Sequence, residues 1–284
     1  NGIAHVAAVA GFEVKLHDLA EERINTALYR VSASGNVDAT AAPQMITFDL
    51  SASDGLSVTK TFTLEPGGYL TDWWTDETLR VIEANRNRPF FLHLAHWAPH
   101  TPLQATKEDY EAVGDLGSHR LQVYGAMMRA LDRSVGQIVE KLEQGGLAEN
   151  TIIVFSSDNG GPGYIDLPGI NDPYRGWKLS LFEGGIRVPM FVSWPARIPA
   201  GTVIDTPVAH IDVTPTLAEA AGAVLPAGVE IDGRSLLPLA EGVGGLARAD
   251  DALFWQSGYY RVVRAGDWKL QVDGKQGKSW LFDL

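Results

Sequence analysis

The chain contains no cysteine, which excludes disulfides, thiolate zinc sites and cysteine nucleophiles while saying little about compartment. It also lacks any apolar run approaching the roughly 20 residues that cross a bilayer; the longest are short pieces such as Thr151-Ile152-Ile153-Val154-Phe155. Positive charge is scarce, with 23 Lys and Arg against 35 Asp and Glu and a net charge of −12, which argues against a nucleic-acid backbone or an anionic membrane as the general partner. An anionic small substrate would therefore need a local positive site. The apolar stretch Ile3–Ala10 has no basic residue before it, so it is not read as a signal peptide. Internal repeats and low-complexity segments are missing, and the opening residue is Asn1 rather than methionine, which reads as a fragment. What is present is 284 residues, 45% hydrophobic, enough for one large, soluble α/β domain with appendages. Nothing in the pattern fixes an oligomeric state or an export route.

Residues 2–18 are expected to form a helix, a break at Gly11 and a strand from Phe12 to Leu16 that ends at His17-Asp18, the second half of a βαβ unit. Ile46, Phe48 and Leu50 alternate with polar residues, Asp54-Gly55 marks a turn, and Val58, Lys60, Phe62 and Leu64 alternate again, so 29–66 reads as a structural β-hairpin connector. From Gly67 the pattern is α/β. It predicts a helix near Asp76–Ala84, an apolar strand Pro89–Trp97, a helix near Tyr124–Leu142 and strands at Thr151–Ser157 and Val188–Ser193. Met128, Leu131, Val135, Ile138 and Leu142 recur at three-four spacing and predict the face that this long helix lays on a sheet. Asp212-Val213-Thr214-Pro215 is expected to cap a last helix ending near Gly222. Alternation resumes from Ala252 and predicts a small antiparallel C-terminal sheet. The expected divisions are thus 1–28, 29–66, 67–245 and 246–284.

Chemistry concentrates after the strand at 151–157. Asp158 and Asn159 stand where open α/β sheets place ligands, beyond the carboxyl end of a strand. Hard oxygen donors of this kind suit calcium, or magnesium, rather than zinc. The competing reading is a hairpin turn at Asn159-Gly160, which the following Gly161-Pro162-Gly163 weakens because no alternating strand follows. Lys178 sits between Trp177 and Leu179, a setting usual for a surface lysine lying along apolar atoms. The nearby Gly184-Gly185 would also let the backbone approach a small anion, for which an ammonium is a fitting counter-charge. His100, in a loop forced out of regular structure by Pro99 and Pro102, is placed to protonate a leaving oxygen near neutral pH. His93 and His96 read as buried or edge residues with hydrogen-bond partners, and His119 and His210 as surface or cap residues.

Taken together, Gly68-Tyr69-Leu70-Thr71-Asp72, Pro89-Phe90-Phe91-Leu92, Pro99-His100-Thr101-Pro102-Leu103-Gln104, Asp158-Asn159-Gly160-Gly161, Lys178 with Phe182-Glu183-Gly184-Gly185-Ile186-Arg187-Val188-Pro189, and Trp194-Pro195 resemble the type I sulfatases of the alkaline phosphatase superfamily, in order and spacing. The resemblance covers Gly67 to the C-terminus and implies an α/β alkaline-phosphatase-like sheet with helices on both faces, here incomplete, plus the small C-terminal sheet. It implies that Asp158 and Asn159 ligate calcium, that Lys178 holds sulfate oxygens and that His100 helps the leaving group depart from a small-molecule or glycan sulfate ester. Its members are often periplasmic or secreted. The family's nucleophile is a formylglycine made in a Cys/Ser-x-Pro-x-Arg motif upstream, near an Asp-Asp pair that completes the metal shell. Neither has a match in these residues, so the expectation is weak or no turnover from this segment alone. Ser193-Trp194-Pro195-Ala196-Arg197 fits Ser-x-Pro-x-Arg by letter, but it ends a strand downstream of Asp158 and reads as a structural Trp-Pro turn. Residues 1–28 separately resemble the start of 3-hydroxyacyl-CoA dehydrogenases, where the acid matching Asp18 binds a ribose. The Gly-rich loop that cradles the pyrophosphate is missing, so a dinucleotide site is not expected. Two other classes stay open: a non-catalytic anion-binding module, and a related phosphoester or phosphonate hydrolase.

Overall fold

A computed structural model describes residues 68–284 except 226, 227 and 249–251, and upstream of these only the backbone of five strands. The chain forms two compact units, residues 1–148 and 149–284.

In the first unit, β1 (Ala8–Val9) pairs antiparallel with β2 (Phe12–Glu13), Val9 opposite Phe12. The expected helix over this segment is thus corrected at Ala8–Val9: β-branched Val9 and the Gly11 break favour a pairing of two short strands over a helix. Asp18 and the rest of the dehydrogenase-like segment lie outside the described residues. The hairpin expected at 29–66 forms as β4 (Gln44–Ala52) and β5 (Ser57–Leu64), in register with Ile46 opposite Phe62 and Phe48 opposite Lys60. A further strand, β3 (Tyr29–Ser32), pairs with β4 on its other side.

Helix α1 (Leu70–Ala84) begins earlier than the apolar pattern suggests and buries Thr71, Trp74, Thr75, Thr78, Val81 and Ile82, one face at three-four spacing. Helix α3 (His119–Gln144) starts where the Ser118 hydroxyl accepts the Leu121 N–H at 3.2 Å. Its buried face is Ala126, Met127, Ala130, Leu131, Ser134 and Leu142, whereas Met128 is 42% exposed. The expected face is corrected by this rotation, and its partners are helices, α1 and the short α2 (Lys107–Ala112), rather than a sheet. The reason is steric: Ala126, Ala130 and Ser134 at four-residue spacing let α1 approach, and the Thr75 hydroxyl meets the Ser134 hydroxyl at 2.6 Å. Asp109 of α2, fully buried, joins the helices by ion pairs to Arg129 and Arg133, and Arg133 also donates to Asp72 at 2.8 Å. Burial pushes the Asp109 carboxyl up, but hydrogen bonds from Arg133, the Thr106 hydroxyl and Arg129 win and hold it below the usual carboxylate range. The strand expected at Pro89–Trp97 is also corrected: only Phe91 makes a bridge, and the rest of the run has no ladder. Apolar composition alone does not supply the neighbouring strand that a ladder requires.

In the second unit, β6 (Ile153–Ser156) pairs antiparallel with β7 (Met190–Ser193). Helix α4 (Glu183–Ile186) is a single turn just before β7. Helix α5 (Val213–Ala220) starts after Asp212, but the expected cap is corrected, since the Asp212 carboxylate is taken by other partners and does not cap it, and α5 is not the last helix, since α6 (Leu237–Ala240) comes after it. Asp212 is fully buried and accepts the N–H groups of Ala209 and Arg234 and two bonds from Arg248. Burial pushes its carboxyl up, but Arg248 and those N–H groups win and hold it low. The C-terminal sheet forms as the alternation predicts, with β8 (Ala252–Ser257), β9 (Tyr260–Ala265), β10 (Trp268–Asp273) and β11 (Lys278–Asp283) in a sequential antiparallel meander. The chain is α/β, as expected. Among the described residues no helix is long and apolar enough to cross a membrane.

Candidate functional site

The second unit brings Asp158, Asn159 and Lys178 onto one cluster of loops, and it builds that cluster from backbone. Strand β6 delivers Ser157, whose N–H reaches the Pro189 carbonyl at 3.4 Å and whose hydroxyl donates to the Asn159 carbonyl at 2.8 Å. Gly160 N–H then donates to Gly185 at 3.0 Å, and the Gly161 carbonyl accepts the Lys178 N–H at 3.1 Å. The two segments that sequence alone marks as chemical are therefore laced together. Asp158 is exposed and Asn159 half-buried.

The glycines are required by close crossing of three chain segments. A Cβ at Gly160 would sit 1.8 Å from the Gly184 carbonyl oxygen, one at Gly185 2.1 Å from that of Ser180, and one at Gly184 2.4 Å from that of Gly176. None of these obstacles is a side chain that can swing aside. Asn171, which sequence reasoning missed, ties the same crossing: its Oδ1 accepts the Gly161 N–H at 2.7 Å, and its Nδ2 donates to the carbonyls of Gly161 at 2.9 Å and Gly176 at 3.2 Å. The only local signal was an Asn just before Asp172-Pro173, a turn-forming context.

The C-terminal sheet braces this cluster. Lys269 of β10 is 1% exposed and its ammonium lies 2.6 Å from Glu183 Oε1 at the start of α4. Burial depresses the Lys269 pKa, and Glu183 opposes that effect. Phe182 packs edge-on against Trp280 and Phe282 of β11, with ring centroids 5.7 and 6.1 Å away, while the Arg175 guanidinium covers Phe182 at 4.2 Å. The Ser193-Trp194-Pro195-Ala196-Arg197 stretch forms a turn: Ser193 ends β7 opposite Ile153, Trp194 is buried, and the N–H groups of Arg197 and Ile198 return to the Trp194 carbonyl.

His100 belongs to the first unit. Its N–H closes a turn on Trp97 at 2.9 Å, its ring stands edge-on to the Trp97 ring at 5.2 Å, and its Nδ1 lies 2.8 Å from the Thr101 carbonyl. A carbonyl only accepts, so Nδ1 carries a proton and Nε2 is the ring nitrogen left for other chemistry. The loop beyond is held by the Tyr69 hydroxyl, which donates to the Gln104 carbonyl at 3.1 Å. His96 has the partner expected of a buried histidine, the Ser134 hydroxyl at 3.1 Å from Nε2, and burial pushes its pKa down to about 4. It is neutral at ordinary pH and is no proton donor. His119 meets the Tyr110 hydroxyl at 2.9 Å, and His210 meets the Ser156 hydroxyl at 3.0 Å, so both make more contact than a bare surface position implies.

A metal ion would find the right kind of donor here, a carboxylate and an amide oxygen side by side, both hard. The number is short: among the described residues no group of three or more His, Asp or Glu side chains converges as a metal site.

Comparison with known proteins gives the same direction. The family model described as "Sulfatase" matches residues 21–223, so the match begins well before Gly67 and includes the hairpin region, where sequence reasoning found no family likeness. The chain is 36% identical over 227 residues to the steryl-sulfatase of Homo sapiens, an overlap of 77% of this chain and 37% of that protein. It is 38% identical over 172 residues to the arylsulfatase H of Canis lupus familiaris, covering 58% of this chain and 30% of that one. The crystal structure of Ps i-CgsB in complex with k-i-k-neocarrahexaose superposes with a TM-score of 0.71 at 33% identity, over 80% of this chain and 51% of its own. The chain thus spans about a third of the length of the curated relatives it matches.

Proposed function

Because this chain belongs to the type I sulfatases of the alkaline phosphatase superfamily, we propose that it carries the metal and anion half of a sulfuric ester hydrolase site. Sulfatases generally use a divalent metal. In this reading Asp158 and Asn159 supply two of its oxygen ligands, calcium first and magnesium second, and the metal neutralises charge on the sulfate oxygens. Lys178 holds sulfate oxygens, and His100 gives a proton to the departing alkoxide. The substrate is a small-molecule or glycan sulfate ester. The observation that supports the proposal is the backbone lacing of Asp158–Gly161 to Lys178 and Gly185, because it holds the main chain that carries all three residues in one frame.

The 284 residues include no Cys/Ser-x-Pro-x-Arg segment ahead of Asp158, so by themselves they lack covalent catalysis and are expected to show no turnover above background. The test is a protein extended upstream of Asn1 with a family nucleophile segment and its paired aspartates. It should hydrolyse 4-nitrophenyl sulfate in preference to 4-nitrophenyl phosphate, and Lys178→Ala and His100→Ala should each lower kcat/KM by about 100-fold or more. A preference for the phosphate would favour a phosphoester hydrolase. Tight binding of sulfate esters with no hydrolysis in the extended protein would favour a binding module.

A further inference from the structure

The segment carrying Lys178 has features that holding an anion does not require. The Ser180 N–H donates to the Trp177 carbonyl at 3.0 Å, which closes a tight turn with Lys178 and Leu179 at its two central positions. Leu179 has φ +76°, the left-handed conformation that the second central position of a type II turn demands and that glycine fills without penalty. A branched apolar residue occupies it instead, and that residue is 82% exposed. Folding therefore gains nothing from burial of Leu179 and carries its backbone strain. Strain kept at such a position points to a role outside folding.

Trp177, on the other side of Lys178, is also exposed, at 53%, and it is held in place. Gly163 lies against its ring so closely that a Cβ there would stand 2.7 Å from Cδ2 and Cε3 and 3.1 Å from Cγ. The turn itself is fixed by the Ser180 hydroxyl, which accepts the Trp177 N–H at 3.2 Å and donates to its carbonyl at 2.8 Å, and by the Lys178 N–H on Gly161. An ammonium-bearing residue is thus flanked in sequence by an indole packed on Gly163 and an exposed leucine, on a turn that backs onto Gly185.

From this geometry we infer that Trp177 and Leu179 are specificity-determining residues which select sulfate esters of apolar ring alcohols, aryl or alicyclic, over those of polar sugars. The inference rests on the reading of Lys178 as the sulfate-holding residue. The indole presents a flat apolar surface at little entropic cost, and Leu179 adds apolar area that a hydroxyl-rich ring cannot match. The ester's charged end goes to Lys178 and its ring to the rim.

The experiment is equilibrium titration of the 284-residue chain with inorganic sulfate, 1-naphthyl sulfate and glucose 6-sulfate, in parallel with thermal unfolding. The native chain should bind 1-naphthyl sulfate about tenfold more tightly than inorganic sulfate. Trp177→Ala should remove most of that tenfold advantage, and Trp177→Phe should retain much of it. Leu179→Gly should raise the unfolding midpoint by releasing the strain and yet weaken 1-naphthyl sulfate about threefold; a residue kept only for structure would not couple a gain in stability to a loss of affinity. Inorganic sulfate should bind equally well to all of these variants. Equal losses for naphthyl and inorganic sulfate, or an equal loss for glucose 6-sulfate, would overturn the inference. Lys178→Ala tests the underlying reading alone: inorganic sulfate bound as tightly by this variant as by the native chain refutes the anion site, whatever the rim does. Failure of all three ligands to bind refutes both.

Discussion

The paired helices α1 and α3 and the loop cluster around Asp158 are held by opposite means. The helices meet through side chains, with Trp74, Val81 and Ile82 buried on one, Ala126, Ala130 and Leu131 on the other, and a hydroxyl pair between them. The loops meet through main chain, with glycines where segments cross and carbonyls and N–H groups as the contact. Side-chain packing tolerates adjustment, because a neighbour can change rotamer. Backbone crossing does not. The proposed roles of Asp158, Asn159 and Lys178 would be served by the second construction, and its cost is sensitivity to any added atom.

That contrast is easiest to break at the crossing itself. Gly160→Ala, or Gly185→Ala, should destabilise the second unit by about 4 kcal/mol or more, since the new methyl falls within bonding distance of a carbonyl; urea unfolding of the variant would show it. Among the helices, His96 supplies a pH test. Its folded pKa is lowered from 6.5 to about 4, so the unfolded chain takes up the proton first. Stability is full well above pH 6.5 and falls as the pH drops toward 4, by about 3 kcal/mol, and His96→Gln should flatten that part of the curve. Lys269→Met comes next. It leaves the partly buried Glu183 with only a 3.8 Å pairing to Arg187 and should cost about 2 kcal/mol in urea unfolding. The smallest effect has the opposite sign. Gly136 lies within α3 with nothing within 4 Å of a built Cβ, so Gly136→Ala should stabilise by between about 0.5 and 1 kcal/mol. A glycine change that is severe in the loops and favourable in the helix would sharpen the distinction; similar effects at both places would remove it.

The sequence disclosed these two constructions unequally. Period-two alternation was enough for β4, β5 and the C-terminal meander, because each strand pairs with its neighbour in the chain and the turn between them is short. The existence of α3 was legible, but it begins at His119 rather than near Tyr124, and its face was misplaced from Met127 to Met128. Apolar counting passed over Ala126, Ala130 and Ser134, whose small size is what brings α1 close. The run Pro89–Trp97 had strand composition without a ladder, because pairing depends on residues far away in sequence. At the site, Asp158, Asn159 and Lys178 stood out as residue types in a suggestive order. Asn171 and the Glu183–Lys269 pair did not, since their contacts are with backbone or with a strand 86 residues away. The glycines were visible as letters, but the carbonyls they make room for were not.

If Asp158 and Asn159 are two ligands of a larger metal shell, calorimetric titration of calcium into the 284-residue chain tests this most directly. Two ligands and one charge predict loose binding, with Kd on the order of 1 mM, abolished by Asp158→Ala. Micromolar binding, or binding that Asp158→Ala leaves unchanged, would contradict it.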